Sequence, residues 1–223
     1  MKICGLVAAY NEEPTIATVL GGARPFLEEI VVVDDGSRDR TAELAERVGA
    51  RVLRHGENLG KGVAVRTGLA YVLQQDFTHV LFIDGDLQHN PSDIPLLVEK
   101  ARNGSGDFVV AERIFDRDRM PRARYYANTI GSHVMSMLTA TSIRDSQSGF
   151  RIIRCDLLKP VSLTARRYEI EAEILVKLVR RGARVERVSV AASYNGASSK
   201  MRPIRDVFRI CMLTMYYRYF CRA

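Results

Sequence analysis

Over the first 110 positions, short apolar runs alternate with segments of helical spacing, and polar or glycine-containing turns separate them. KICGLVAA (2–9) is a continuous apolar run and predicts a buried strand. PTIATVLGGA (14–23) is helical in character, and the β-branched run EIVVVDD (29–35) predicts a second strand. SRDRTAELAERVG (37–49) predicts a helix with Ser37 as N-cap and Gly49 as its stop. RVLRH (51–55) predicts a short strand and GKGVAVRTGLAYVLQQ (60–75) a helix with apolar residues at helical spacing. HVLFID (79–84) predicts a strand, PSDIPLLVEKARNG (91–104) a helix capped near Ser92 and stopped at Gly104, and DFVVAE (107–112) a strand.

Strands alternating with helices imply an α/β fold whose parallel sheet is covered on both faces. Right-handed crossovers then bring the loops after the strands to one edge, where such sheets bind ligands. The polar residues fall there. Asn11 and Glu12 follow the first strand, Asp34 and Asp35 the second, Asp84 and Asp86 the fourth. Each alone suits a turn or a cap. Three acidic strand ends at one edge point instead to a bound cation or a ligand.

After residue 112 the alternation loosens. ERIFDRDRMPRAR (112–124) reads as a charged loop and YYANTIGSHVMSMLTAT (125–141) as a helix. RDSQSGFRIIRCDLL (144–158) is a loop running into a strand, YEIEAEILVKLVRRG (168–182) a helix with Arg180 and Arg181 at its dipole's negative end, and ARVERVSVAASY (183–194) a strand. The segment from Pro203 onward is an apolar, Tyr-rich helix with scattered Arg. The pattern gives one domain over 1–202, in a regularly alternating half (1–112) and a more specialised half (113–202), and a C-terminal amphipathic helix at 203–223.

Composition narrows the class. No stretch reaches ~18 uninterrupted apolar residues, so no membrane-spanning helix is predicted. The N-terminus reads as a strand rather than a signal peptide. Cys4, Cys155, Cys211 and Cys221 form no CxxC pair and no Cys/His cluster, which argues against zinc and for free thiols in a reducing cytoplasm. The net charge of +7 is uneven: residues 1–100 carry 10 Lys/Arg against 15 Asp/Glu, and residues 101–223 carry 23 against 11. Twenty of those 23 cations are Arg, whose fork matches phosphate oxygens. An anionic partner follows, but no groove-reading or RNP-like pattern points to nucleic acid.

Candidate chemistry centres on FIDGDLQHNP (82–91). The first strand lacks the GxGxxG that a dinucleotide site would need, and GENLGKG fails the P-loop spacing. A phosphatase of the haloacid dehalogenase type would carry its DxD on the first strand. Asp84 and Asp86 with Gln88 two residues on suit a hard cation, Mg²⁺ or Mn²⁺, which bridges to substrate phosphates through one or two carboxylates.

AAYNEE (8–13), VVVDDGSRDRT (31–41), ENLGKGVAVRTG (57–68), FIDGDLQHNP, DSQSGFR (145–151), YEIEAE (168–173) and SSK (198–200) run in the order seen in family 2 glycosyltransferases. The sequence resembles the dolichyl-phosphate mannose synthase-like and bacterial polyprenyl-phosphate group. The resemblance implies a GT-A fold, Rossmann-like, with a mostly parallel sheet and helices on both faces. It implies that Tyr10 and Glu12 line the nucleotide pocket, that Asp34 and Asp35 contact base or ribose, and that Lys61 lies near the nucleotide. Asp84, Gly85 and Asp86 would bracket the diphosphate and metal, with Gln88 a further ligand. Asp145 would face sugar or acceptor, and Arg113, Arg124 and Lys200 would handle phosphates.

The implied reaction is metal-dependent, inverting transfer from a nucleoside diphosphate sugar (GDP-mannose or a UDP-sugar) to a polyprenyl or dolichyl phosphate. A hydroxyl acceptor is the alternative, with Asp145 as the base. The family often has Pro where Ala8 stands and Arg where Tyr194 stands, which leaves sugar and acceptor open. Many members carry C-terminal membrane helices. Here a peripheral contact at the cytoplasmic membrane face is expected instead, and self-association is open.

Overall fold

A computed structural model gives the three-dimensional arrangement for residues 1–104, 107–114, 122–139, 145, 148–191, 209, 211–213 and 215–217, with side chains left undescribed at 122–128, 138 and 139. The strands are β1 (Ile3–Ala9), β2 (Glu29–Asp34), β3 (Arg51–Arg54), β4 (His79–Phe82), β5 (Phe108–Ile114), β6 (Arg151–Arg154) and β7 (Val185–Ala191). Between them lie α1 (Ile16–Ala23), α2 (Thr41–Arg47), α3 (Lys61–Val72), α4 (Ile94–Asn103), α5 (Arg122–Thr139), α6 (Cys155–Leu158) and α7 (Ile170–Arg180).

The seven strands form one sheet in the order β3-β2-β1-β4-β6-β5-β7. The pairs β1–β2, β1–β4, β2–β3 and β5–β7 are parallel. Strand β6 alone is reversed, antiparallel to β4 and to β5. The expected mostly parallel sheet is therefore present, with a turnabout that RIIR does not advertise: a short apolar strand carries no mark of its direction.

Side chains alternate across the sheet with the strand period of two. Leu6, Val31, Val33, Val80 and Phe82 face α3 and α7 in one buried layer. Val7, Ile30, Val32, Leu81 and Ile83 face α1 and α4 in the other. Each such fully buried side chain contributes roughly 1.5–3 kcal/mol. Helix α3 crosses the sheet closely because Gly68 rests on Leu6, where a Cβ would overlap its methyl groups.

Two caps differ from the sequence expectation. Helix α2 begins at Thr41, not after Ser37. The Ser37 hydroxyl instead accepts the Asn11 N–H at 2.9 Å, and Asp39 Oδ1 accepts the Thr41 N–H at 3.0 Å. The turn that would have capped the helix is used to hold the loop after β1. Ahead of α4, Asn90 caps a short 3-10 turn at Pro91–Asp93, its Oδ1 accepting the Ser92 N–H at 3.0 Å, and α4 itself starts at Ile94 without a side-chain cap. Gly49 does stop α2's exit, in the left-handed region at φ 77°. Of the predicted C-terminal helix, residues 209, 211–213 and 215–217 are helical, and the remainder lies outside the described residues.

Candidate active site

The ends of β1, β2, β4 and β5 lie at one edge. Because β6 runs backwards, the segment that enters it, Asp145 and Ser148–Phe150, reaches the same edge. This reversal is what joins the DSQSGFR stretch to the acidic strand ends.

Tyr10, Asn11 and Glu12 follow β1 and are half-buried. Asn11 takes a left-handed φ of 51°, a conformation that Asn tolerates better than most residues. Thr15 Oγ1 donates to the Gly85 carbonyl at 2.6 Å, tying this loop to the DGD turn. Asp34 Oδ1 accepts the Ser37 N–H at 3.3 Å. Asp35 is buried, accepting the N–H of Leu59 at 3.0 Å and of Gly60 at 2.8 Å, with His55 Nδ1 at 2.7 Å. It thus shapes the ENLGKG turn.

That turn delivers Lys61. Gly62 donates its N–H to the Arg166 carbonyl at 3.0 Å, and a Cβ on Gly62 would stand 2.5 Å from the Ala165 carbonyl oxygen. Only glycine allows α3 to start against that chain. Lys61 Nζ then lies 2.6 Å from Asp84 Oδ1 and 2.7 Å from Glu171 Oε1. Burial would lower the ammonium's pKa, but the two carboxylates outweigh it and raise it. Asp84 is correspondingly held well below the carboxylate range: burial opposes this, and Lys61 with other nearby cations prevails. The Gly149 backbone sits against Asp84, and a Cβ there would overlap its carboxylate.

A second chain of contacts crosses the edge. Arg113 grips Asp145 with two bonds, Nε to Oδ2 at 2.7 Å and Nη2 to Oδ1 at 3.1 Å, and reaches Gln88 Oε1 from Nη1 at 3.4 Å. Gln88 Nε2 donates to Asp86 Oδ2 at 2.8 Å and its backbone N–H to Asp86 Oδ1 at 3.0 Å. Asp145 is fully buried; burial would raise its pKa, but Arg113 holds it below the usual range. Asp86 makes no ion pair among the described residues, and burial followed by the Asp84 charge outweighs Gln88 and the more distant Lys61 and pushes it up to about 6. His89 is 1% exposed and packs against Phe150 at 5.1 Å, with both ring nitrogens lacking a hydrogen-bond partner among the described residues. Burial, then the Arg113 charge, lowers it to about 4, so the ring is neutral.

The structure thus brings together Asp84, Gly85, Asp86, Gln88, Lys61, Arg113 and Asp145 of the sequence-predicted set, with Tyr10, Glu12, Asp34 and Asp35 on the adjoining loops. Arg124 lies on α5, its side chain outside the described residues, as Lys200 and Tyr194 are altogether. Sequence reasoning gave no role to His89, Gly149 or Glu171, although each sits inside a quoted stretch. Two acids two residues apart at the start of an otherwise apolar helix were the available signal for Glu171.

Among the described residues no three His, Cys, Asp or Glu side chains are grouped to enclose a metal ion. Asp84, Asp86 and Gln88 nevertheless fit one that arrives with phosphates. They offer hard oxygen donors, and Asp86 is a half-buried carboxylate that makes no ion pair among the described residues. Lys61, Arg113 and the buried Arg151 face Asp84, Asp86, Asp145 and Glu171, which leaves one carboxylate in excess.

A mostly parallel α/β sheet with an acidic strand edge of this kind defines a glycosyltransferase of the GT-A class. The chain belongs to glycosyl transferase family 2, which its residues 6–161 match. It is 31% identical over 223 residues to the glycosyltransferase AglJ of Haloferax volcanii, covering 97% of this chain and 71% of that one. It is 29% identical over 240 residues to the UDP-N-acetylglucosamine–dolichyl-phosphate N-acetylglucosaminyltransferase of Methanococcus voltae, covering 94% and 95%. Its fold is like that of glucosyl-3-phosphoglycerate synthase from Mycobacterium tuberculosis, solved with Mn²⁺ and UDP-glucose, with a TM-score of 0.76, 23% identity, and 100% of this chain and 80% of that one covered.

Proposed function

We propose that this glycosyltransferase moves a sugar, with inversion, from a nucleoside diphosphate sugar to the phosphate of a polyprenyl or dolichyl lipid. The observation that carries this reading is the grip of Arg113 on Asp145. A hydroxyl acceptor needs a base, and Asp145 is the carboxylate placed to serve. Held in a two-point ion pair, with its pKa lowered, it is a poor proton acceptor. A phosphate monoester needs none, because its second pKa is about 6 and it arrives as an anion. The task left to the protein is positioning and charge balance.

Arg113, fixed by Asp145 and Gln88, presents guanidinium charge to the incoming phosphate. A phosphate oxygen forms the bond to the anomeric carbon as the bond to the diphosphate oxygen breaks, and the electron pair leaves with the nucleoside diphosphate. Asp84, Asp86 and Gln88 would hold a divalent cation, which when bound supplies Lewis-acid stabilisation of the diphosphate. Lys61 adds a fixed ammonium on the same side. The dolichyl-phosphate specificity in the name of the Methanococcus relative supports the acceptor class. The test is a panel of GDP-mannose, UDP-glucose and UDP-N-acetylglucosamine with Mn²⁺, read by thermal stabilisation, then transfer to a short polyprenyl phosphate. Turnover onto a sugar hydroxyl but not onto the lipid phosphate would reject the acceptor.

The lipid would reach the site from a membrane surface. Among the described residues no helix is long and apolar enough to cross a membrane. The C-terminal segment buries Tyr217 against the domain and turns Met212, Met215 and Tyr216 outward. Such a face suits an interfacial contact, with basic side chains beside it reaching anionic headgroups. Binding to anionic liposomes is expected at low salt, weakening as the Debye length falls to about 10 Å at 0.1 M. It should also fall in a Met212→Ser/Tyr216→Ser variant that keeps Tyr217. Full-strength binding by that variant in co-sedimentation would place the contact elsewhere.

A further inference from the structure

Glu171 is the least explained charge at this edge. It stands in the first turn of α7, 8% exposed, with Oε1 on Lys61 Nζ at 2.7 Å. Its other oxygen, Oε2, is buried and has no hydrogen-bond partner among the described residues. A buried carboxylate with half its acceptors unmet costs free energy, and such costs are tolerated where they serve a site. Glu171 lines one small pocket with Asp84, Lys61, Gly149 and Arg151, beneath the DGD turn.

Lys61 explains the arrangement. An ammonium has three N–H donors. One goes to Asp84 and one to Glu171, from opposite elements of the fold. For the third the described residues provide no oxygen; the Tyr168 ring lies beside it, its centroid 5.9 Å from Nζ. The stem is fixed as well, because Gly60 and Gly62 seat the start of α3 against the carbonyls of Arg166 and Ala165. An ammonium with a single carboxylate neighbour would close on it. Suspended between two, it keeps its place when a ligand draws on one of them.

We propose that Glu171 is a positioning residue: it shares the Lys61 ammonium with Asp84 and so keeps the remaining N–H turned to the phosphates of the donor. The proposal rests on the nucleotide-sugar reading above and adds a residue to it. Without Glu171, Lys61 pairs with Asp84 alone, and every phosphate or cation arriving at Asp84 must break that pair.

The sign of the effect separates this role from simple electrostatics. Removing a negative charge near an anion site should tighten anion binding. If Glu171 positions Lys61, Glu171→Gln should instead weaken it. The experiment is calorimetric titration of UDP and GDP into the full chain, in EDTA and again in Mn²⁺. For whichever nucleotide the wild type binds, Glu171→Gln is expected to raise Kd about tenfold, which corresponds to about 1.4 kcal/mol. Unchanged or tighter binding overturns the proposal. On a Lys61→Met background the same change is expected to cost nothing further, because the effect passes through Lys61. Further weakening there would mean that Glu171 meets the ligand itself, and overturns it too. If Glu171→Gln fails to fold, Glu171→Asp withdraws the carboxylate while keeping its charge. It should weaken binding in the same direction, and wild-type affinity in that variant overturns the proposal. A wild-type protein that binds neither nucleotide, with or without Mn²⁺, overturns both this proposal and the donor reading.

Discussion

Asp86→Ala is expected to abolish the dependence of donor binding on Mg²⁺ or Mn²⁺ and to lower kcat/KM at least about a hundredfold, or about 2.7 kcal/mol at 1.36 kcal/mol per decade. As proposed, the site would offer an ion two carboxylates and an amide, so losing one would remove a large share of its protein ligands. The fold should not suffer. Asp86 sits in a turn beyond β4, and among the described residues its side chain accepts bonds only from Gln88, its neighbour two residues on. Burial and the nearby Asp84 already disfavour its charge. Calorimetry with a UDP- or GDP-sugar, in Mn²⁺ and in EDTA, reads the first effect, and thermal unfolding in EDTA the second. Donor affinity that still rises with Mn²⁺ in the variant would take Asp86 out of the metal site.

Glu173→Gln should act on stability instead. Glu173 is fully buried in α7 and accepts from the Thr164 N–H at 2.9 Å, the Ala165 N–H at 2.7 Å, Tyr217 OH at 2.5 Å and Lys177 Nζ at 2.7 Å. Losing a carboxylate that satisfies so many donors leaves Lys177 half-compensated, at a cost of about 3 kcal/mol or more. At 2–4 °C per kcal/mol, the Tm should fall by about 10 °C. Burial would raise the Glu173 pKa, but these bonds keep it below the ordinary carboxylate value. A folded pKa below the unfolded one gives stability that is present above the unfolded value and lost as pH falls through the folded one. The wild-type advantage over Glu173→Gln should therefore shrink on acidification below about pH 4.3. A difference in Tm that stays constant from pH 7 to pH 3 would contradict the assignment. Amide exchange at Tyr217 should speed up in the variant, because its hydroxyl is one of the four partners.

Much of this was legible in the residues. The run-and-turn rhythm of the first 110 positions yields β1 to β5 in order, because a buried strand needs an unbroken apolar run and a covering helix needs a stripe. Asp84, Asp86 and Gln88 stood out because carboxylates at the end of a buried strand demand a partner. The direction of β6 was not legible: RIIR reads the same either way, and its reversal follows from long-range pairing with β4 and β5. Ser37 was misread because a serine before a helical stripe normally caps it, whereas here a loop 26 residues earlier claims the hydroxyl. Glu171 and Glu173 drew no reading of their own, because acids in the first turn of a helix suit its dipole without any further partner. Their partners, Lys61 on one side and Tyr217 on the other, lie too far off in sequence for spacing to reveal them.

The seat that Arg166 and Ala165 provide for Gly60 and Gly62 has a consequence for how the molecule assembles. Lys61 is made early in synthesis, yet its place is set by chain about a hundred residues later. Pairings so distant in sequence close slowly, because the intervening loop must be ordered first. The early strands can form a sheet on the ribosome, since domains tend to fold from the N-terminus onward. A nascent chain that ended before Ala165 would carry the DGD turn with its lysine unanchored. The edge that carries the DGD turn and Lys61 is therefore complete only once the chain through Ala165 and Arg166 has been made and has packed against α3.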